Sequence, residues 1–141
     1  MEYLLDTNIC IYIIKKKPRQ VFDKLLTLDV GSVGISTITL AELYYGVEKS
    51  ANPAKNKEAL EKFLTPIEIL DFGASATETY GKIRAELERN GNPIGPLDMF
   101  IAAHAKSADL TLVTNNEKEF IRVVDLKIEN GQNENTCSCF T

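Results

Sequence analysis

Short strand-like runs at residues 3–5, 33–35, 67–70, 111–113 and 123–128 are separated by longer segments of helical periodicity. Strands that alternate with helices imply a mostly parallel sheet covered on both faces, joined by right-handed crossovers. In such sheets ligands bind outside the carboxyl ends of the strands. The first run ends there in an acid: Tyr3-Leu4-Leu5 is followed by Asp6, then by the small polar pair Thr7-Asn8.

The helical segments carry their own punctuation. Residues 8–16 read as a helix that Asp6 or Thr7 caps and Pro18 stops. Beyond Pro18, Val21, Phe22, Leu25, Leu26 and Leu28 recur at helical spacing. Residues 38–50 form a helix with Leu40, Leu43, Tyr44 and Val47 on one face, Ser36 marking its start. Residues 54–64, 74–90 and 97–106 are further helices; Gly91 suits the position just past the end of the second. There is no internal repeat. One α/β domain over residues 1–130 is expected, followed by a polar, frayed tail at 131–141.

The 141 residues and a hydrophobic fraction of 44% are enough for one core without staples. Cys10 reads as a buried thiol and Cys137-Ser138-Cys139 lies in the polar tail, so no disulfide framework is expected. With His104 the one histidine, a structural zinc site has too few ligands. No apolar run nears the roughly 20 residues that span a bilayer, and the start lacks signal-peptide features, so the expected location is cytoplasmic. The net charge of −4 argues against a broad basic nucleic-acid surface but not against an enzyme acting on nucleic acid. Lys15, Lys16, Lys17 and Arg19 form the densest basic group, which also suits a helix end.

Each candidate acid has a structural reading beside the chemical one. Asp6 can cap a helix. Glu42 completes the capping-box pattern of Thr39-Leu40-Ala41-Glu42, but a helix that starts at Ser36 places it in the second turn. Its neighbours one turn away are Ile38 and Gly46, and a glycine there suggests close approach by another group. Asp98 suits the dipole of a helix beginning at Pro96, yet Ile101 and Ala102 place it on the inward face, where a charge should be paired or metal-bound. Thr114-Asn115-Asn116 leaves the fourth strand as a polar turn, with Glu117 and Glu119 next. All of these lie at one edge of a parallel sheet. An all-oxygen set suits Mg²⁺ or Mn²⁺, and without a histidine cluster or a phosphate-binding glycine loop the chemistry left is metal-assisted attack of water on a phosphodiester.

Four stretches, in this order, resemble the PIN-domain ribonucleases of the VapC toxin type: Leu4-Leu5-Asp6-Thr7-Asn8, residues 35–46, residues 95–105 and residues 112–120. The resemblance implies a five-stranded parallel sheet flanked by helices and an endoribonuclease dependent on Mg²⁺, with Mn²⁺ as substitute. Asp6 and Asp98 match the principal metal ligands and Glu42 the third acid. The fourth acidic position falls on Asn116, a departure that puts a second metal in question. Asn116 is left to bind through its carbonyl or to hold a metal-bound water, as is Thr114, and Glu119 is the nearest acid that could substitute; Thr7 and Asn8 stand as further supporting positions. Arg84 is another: a phosphate or partner contact on one reading, a surface ion pair with Glu88 on the other. The resemblance further implies a VapB-type antitoxin, a homodimer and structured RNA, often tRNA, as substrate. The alternatives are a PIN-like module that binds RNA or a partner without cleaving, and a phosphatase, which would want an acid where Asn8 stands.

Overall fold

The computed structural model describes residues 1–15 and 31–131. The helix expected beyond Pro18, the basic residues Lys16, Lys17 and Arg19, and the tail from residue 132 lie outside the described residues.

Five strands form one sheet: β1 (Tyr3–Leu5), β2 (Val33–Ser36), β3 (Glu68–Leu70), β4 (Thr111–Thr114) and β5 (Ile128–Asn130). Their order is β3-β2-β1-β4-β5, and every neighbouring pair is parallel. The chain builds outward from β1 to β3, then restarts at β4 on the other side. The crevice where β1 and β4 part is thus the topological switch point.

Six helices cover the described sheet. They are α1 (Thr7–Lys15), α2 (Thr37–Glu48), α3 (Pro53–Leu64), α4 (Ala74–Arg89), α5 (Pro96–Ser107) and the single turn α6 (Glu117–Phe120). The alternation within β1 sorts them into two layers. Tyr3 and Leu5 face a core shared with Ile9, Cys10 and Ile13 of α1, Leu43 and Val47 of α2 and Leu60 of α3. Leu4 faces the opposite core, with Ile83 and Leu87 of α4, Ala102, Ala103 and Ala105 of α5, and Phe120 of α6. Full burial of side chains the size of Leu4 or Phe120 stabilises by about 1.5–3 kcal/mol each. The alanines let α5 lie close beneath the sheet. Cys10 is fully buried, as its apolar setting implied.

Local chemistry sets the boundaries. The Ser36 side chain accepts from the Ile38 N–H and caps α2, so the helix starts there and the Thr39–Glu42 capping box does not form. Asn52 caps α3 with Pro53 in its first turn. Gly91, at φ +70°, ends α4. Gly34 is needed for close approach: a Cβ there would stand 2.9 Å from the Glu68 carbonyl of the neighbouring strand.

The strand expected at residues 123–128 is displaced. Val123 donates its N–H back to the Phe120 carbonyl and Asp125 turns through φ +62°, so pairing begins at Ile128. The two adjacent valines favour extended backbone, but burial of Val123 near α4 and α5 and the hydrogen bond from Lys106 of α5 to the Val124 carbonyl decide the outcome. The packed domain also reaches one residue past 130. Gly131 is buried, donates its N–H to the Thr114 carbonyl at 3.1 Å, and leaves no room for a Cβ beside Ile9.

Candidate active site

Asp6 leaves β1 at the switch point with 4% of its surface exposed. Its Oδ1 accepts from the Ile9 N–H at 2.8 Å and so caps α1, while Oδ2 accepts a short hydrogen bond from the Thr114 hydroxyl at the end of β4. Burial pushes its pKa up to about 6, the bonds from Thr114 and Ile9 pull it down, and the Glu42 carboxylate adds to the rise.

Glu42 stands in the second turn of α2. Its Oε1 accepts from the Thr7 hydroxyl at 2.7 Å. Thr7 Oγ1 also lies 3.4 Å from Thr39 Oγ1, and Thr39 is fully buried. With the Thr7 proton on Glu42, Thr39 is the donor to Thr7, and the two hydroxyls form a chain that orients the carboxylate. In the sequence Thr39 entered only as the start of the capping-box pattern, not as a site residue. Its place one helical turn before Glu42 was the available signal.

Asp98 occupies the first turn of α5 and is half-buried. Its pKa is pushed up to about 6, first by burial, then by a hydrogen bond with Glu119 and by the charges of Glu119, Asp6 and Glu42. These mutual effects place all four carboxylates around one crevice, although they come from β1, α2, α5 and α6.

Asn116, matched by resemblance to the fourth acidic position, caps no helix with its side chain. Its backbone N–H donates to Thr114 Oγ1 at 2.9 Å and its Nδ2 donates to Glu119 Oε2 at 3.1 Å. The carboxylate beside Asp98 on this side is therefore that of Glu119, and Asn116 braces it.

The remaining positions divide. Thr7 and Thr114 hold site acids. Asn8 is exposed on α1. Arg84 lies on the exposed face of α4, where Nε pairs with Glu88 at 2.9 Å and a guanidinium N–H donates to Tyr80 at 3.0 Å. Gly46 has no close neighbour among the described residues, since a Cβ there would meet nothing of theirs within 4 Å. Instead it borders a groove of about 310 Å³ between α1, α2 and α3, with Glu42 at its edge.

The site carries excess negative charge and only oxygen donors, which fits a hard divalent cation. Among the described residues, no three His, Cys, Asp or Glu side chains are gathered into a ready shell. Mg²⁺ does not require one, because it keeps several waters and takes one or two carboxylates together with substrate phosphate. Asp6 and Asp98 are the two raised carboxylates the crevice offers for that role. No helix among the described residues is long and apolar enough to cross a membrane.

Comparison with known proteins agrees with this arrangement. The PIN domain family model matches residues 3–126. The tRNA(fMet)-specific endonuclease VapC of Shigella flexneri is 48% identical over 129 residues, which cover 92% of this chain and 97% of the relative. Ribonuclease VapC2 of Haemophilus influenzae is 45% identical over 130 residues, 92% of this chain and 98% of its own. Among solved structures, VapBC2 of Rickettsia felis, bound to a DNA fragment from its promoter, superposes with a TM-score of 0.87 at 47% identity. That match covers 92% of this chain and 98% of the other. DNA-bound VapBC of Salmonella typhimurium gives 0.88 at 44% identity, covering 93% and 98%. The chain belongs to the PIN-domain family, among its VapC-type ribonucleases.

Proposed function

We propose that this chain is the toxin of a VapBC pair and cleaves structured RNA, tRNA foremost, at a site made of Asp6, Glu42, Asp98 and Glu119. The observation that carries the reading is the convergence of four carboxylates from four elements on the switch-point crevice, two of them with pKa values near 6. A fold does not gather such repulsion for stability. It suits a centre completed by a cation and a phosphodiester.

Asp6 and Asp98 would hold the ion, Mg²⁺ with Mn²⁺ as substitute. Such an ion lowers the pKa of water and screens phosphate charge. The Thr114 hydroxyl keeps Asp6 turned to the crevice while Ile9 N–H holds its other oxygen. Thr7 occupies one oxygen of Glu42, which leaves the other to take the proton from the attacking water. In-line attack forms the new oxygen–phosphorus bond as the bond to the 3′ oxygen breaks, leaving a 5′-phosphate and a 3′-hydroxyl. Glu119, braced by Asn116, keeps Asp98 in place. Because these carboxylates titrate together, acid and base steps belong to the cluster.

A VapB-type antitoxin is the proposed partner, a homodimer the proposed assembly and the cytoplasm the proposed location, since RNA is the substrate. The test is cleavage of tRNA by wild type and Asp6→Asn in Mg²⁺, Mn²⁺ or EDTA, with the ends of the fragments mapped. Cleavage that needs the ion and is lost in Asp6→Asn supports the reading. Undiminished cleavage by Asp6→Asn overturns it, and a wild type inert with both metals points to a non-cleaving binding module.

A further inference from the structure

His104 is buried in the last turn of α5, and the mechanism above does not use it. Its Nδ1 lies 2.7 Å from the Ser36 hydroxyl, across 68 positions of sequence. Ser36 is also the cap of α2 and accepts the Ile38 N–H at 3.1 Å. One side-chain oxygen therefore serves the start of the helix that carries Glu42 and, through His104, the helix that carries Asp98.

The direction of the bond follows from donor counting. The Ser36 oxygen already accepts from backbone, and its one proton needs an acceptor. Neutral imidazole supplies it at Nδ1, with the ring proton on Nε2. Burial lowers the pKa of His104 and so favours this neutral form. The ring itself is clamped: Phe72 meets it edge-on at 5.5 Å and 86°, and Phe100, one turn earlier on α5, packs against Phe72 at 5.5 Å. Phe72 in turn donates its N–H to Thr37 Oγ1, the first residue of α2, at 3.2 Å.

We propose that His104 is a positioning residue that, through its hydrogen bond with Ser36, fixes the placement of Glu42 relative to Asp98. Glu42 lies six residues beyond Ser36 and Asp98 six before His104. Each is at the end of an arm of about 9 Å, so a pivot of about 6° between the helices moves a carboxylate by roughly 1 Å. Displacements of that size cost up to about a hundredfold in rate. The inference rests on the metal-dependent site proposed above.

The test compares His104→Asn, whose Oδ1 takes the place of Nδ1, with His104→Gln and His104→Leu, which lack an acceptor there. Mn²⁺ affinity is read by calorimetry without RNA, and kcat and KM are read on tRNA. The Gln and Leu variants should lose roughly tenfold or more in kcat and bind Mn²⁺ several-fold more weakly, with KM within about twofold of wild type. His104→Asn should return to within about threefold of wild type on both measures. Folded Gln and Leu variants with wild-type kcat and Mn²⁺ affinity overturn the inference, as does an Asn variant no better than Leu. Should the ring replacements fail to fold, Ser36→Gly breaks the same bond from the other side, since glycine is tolerated as an N-cap. Wild-type kcat and Mn²⁺ affinity in that variant overturn it equally. A wild type that neither binds Mn²⁺ nor cleaves overturns the site reading and this one with it. A wild type that does both, beside unchanged variants, overturns this one alone.

Discussion

The Thr114 hydroxyl, at the end of β4, donates to Asp6 Oδ2 at the end of β1. Thr114 Oγ1 also accepts the Asn116 N–H, so one side chain ties the two central strands to the turn that leads to Glu119. Thr114→Val removes the donor and leaves a buried carboxylate oxygen without its partner, a loss of about 1–3 kcal/mol. The bond also holds the Asp6 pKa down, so its loss raises that value further. The acid limb of the pH–rate profile should move to higher pH and cleavage near neutrality should fall, while Thr114→Ser restores both. A Thr114→Val profile that overlays wild type would falsify the assignment.

Glu119 is hydrogen-bonded to Asp98, and Asn116 braces Glu119. Glu119→Gln should reduce cleavage nearly as much as Asp98→Asn. Asn116→Ala, which only loosens Glu119, should cost less. Glu119 raises the pKa of Asp98 by hydrogen bond and by charge, so Glu119→Gln should lower the Asp98 value, as read by carboxyl-carbon NMR titration. A greater loss in Asn116→Ala than in Glu119→Gln would reverse the two roles.

The parallel α/β sheet and the placement of Asp6, Glu42 and Asp98 near one crevice were legible because they follow from local rules, whereas the strand order β3-β2-β1-β4-β5 was not. A strand that must be buried on both faces shows as an apolar run, and a helix that begins at its exit shows a cap, as at Asp6 and Ser36. Glu119 was legible as the nearest acid that could substitute for Asn116, but its hydrogen bond with Asp98 was not, because that depends on how one turn of helix, Glu117–Phe120, rolls against α5. The Thr7–Glu42 bond spans 35 positions and the His104–Ser36 bond 68, and no periodicity encodes such pairings. The last strand was misplaced because Val123 and Val124 favour extended backbone, whereas the contacts that fold them into a turn come from α4 and α5. Gly46 misled in the opposite sense, since it borders an open groove rather than a tight contact.

Arg84 offers a negative prediction. It is committed to Glu88 and Tyr80 on its own helix, on the exposed face of α4. Arg84→Ala should leave kcat on tRNA within about twofold of wild type, because no transition-state contact is removed. A large fall in kcat/KM with the fold intact would restore a phosphate or partner contact for this side chain.

The raised acids link stability to pH in a definite sense. The folded-state pKa values of Asp6 and Asp98 lie near 6, above the ordinary 3.8, chiefly through burial. For an acid this means that the fold prefers the protonated form. Below about 3.8 both folded and unfolded chains are protonated and neither group alters the balance. As pH rises from there through 6, the unfolded chain ionises freely while the folded site resists, and stability from these two groups is lost. Metal-free protein should therefore melt higher near pH 5 than at pH 7.5, through this contribution. Asp6→Asn should flatten the difference and raise the melting temperature at pH 7.5. Mg²⁺ bound at the ionised carboxylates, as proposed, should raise the melting temperature more at pH 7.5 than at pH 5 by linkage. Thermal melts of wild type and Asp6→Asn at both pH values, with EDTA and with Mg²⁺, check all three outcomes. A Mg²⁺ effect equal at both pH values, or unchanged in Asp6→Asn, would place the ion elsewhere than on these carboxylates.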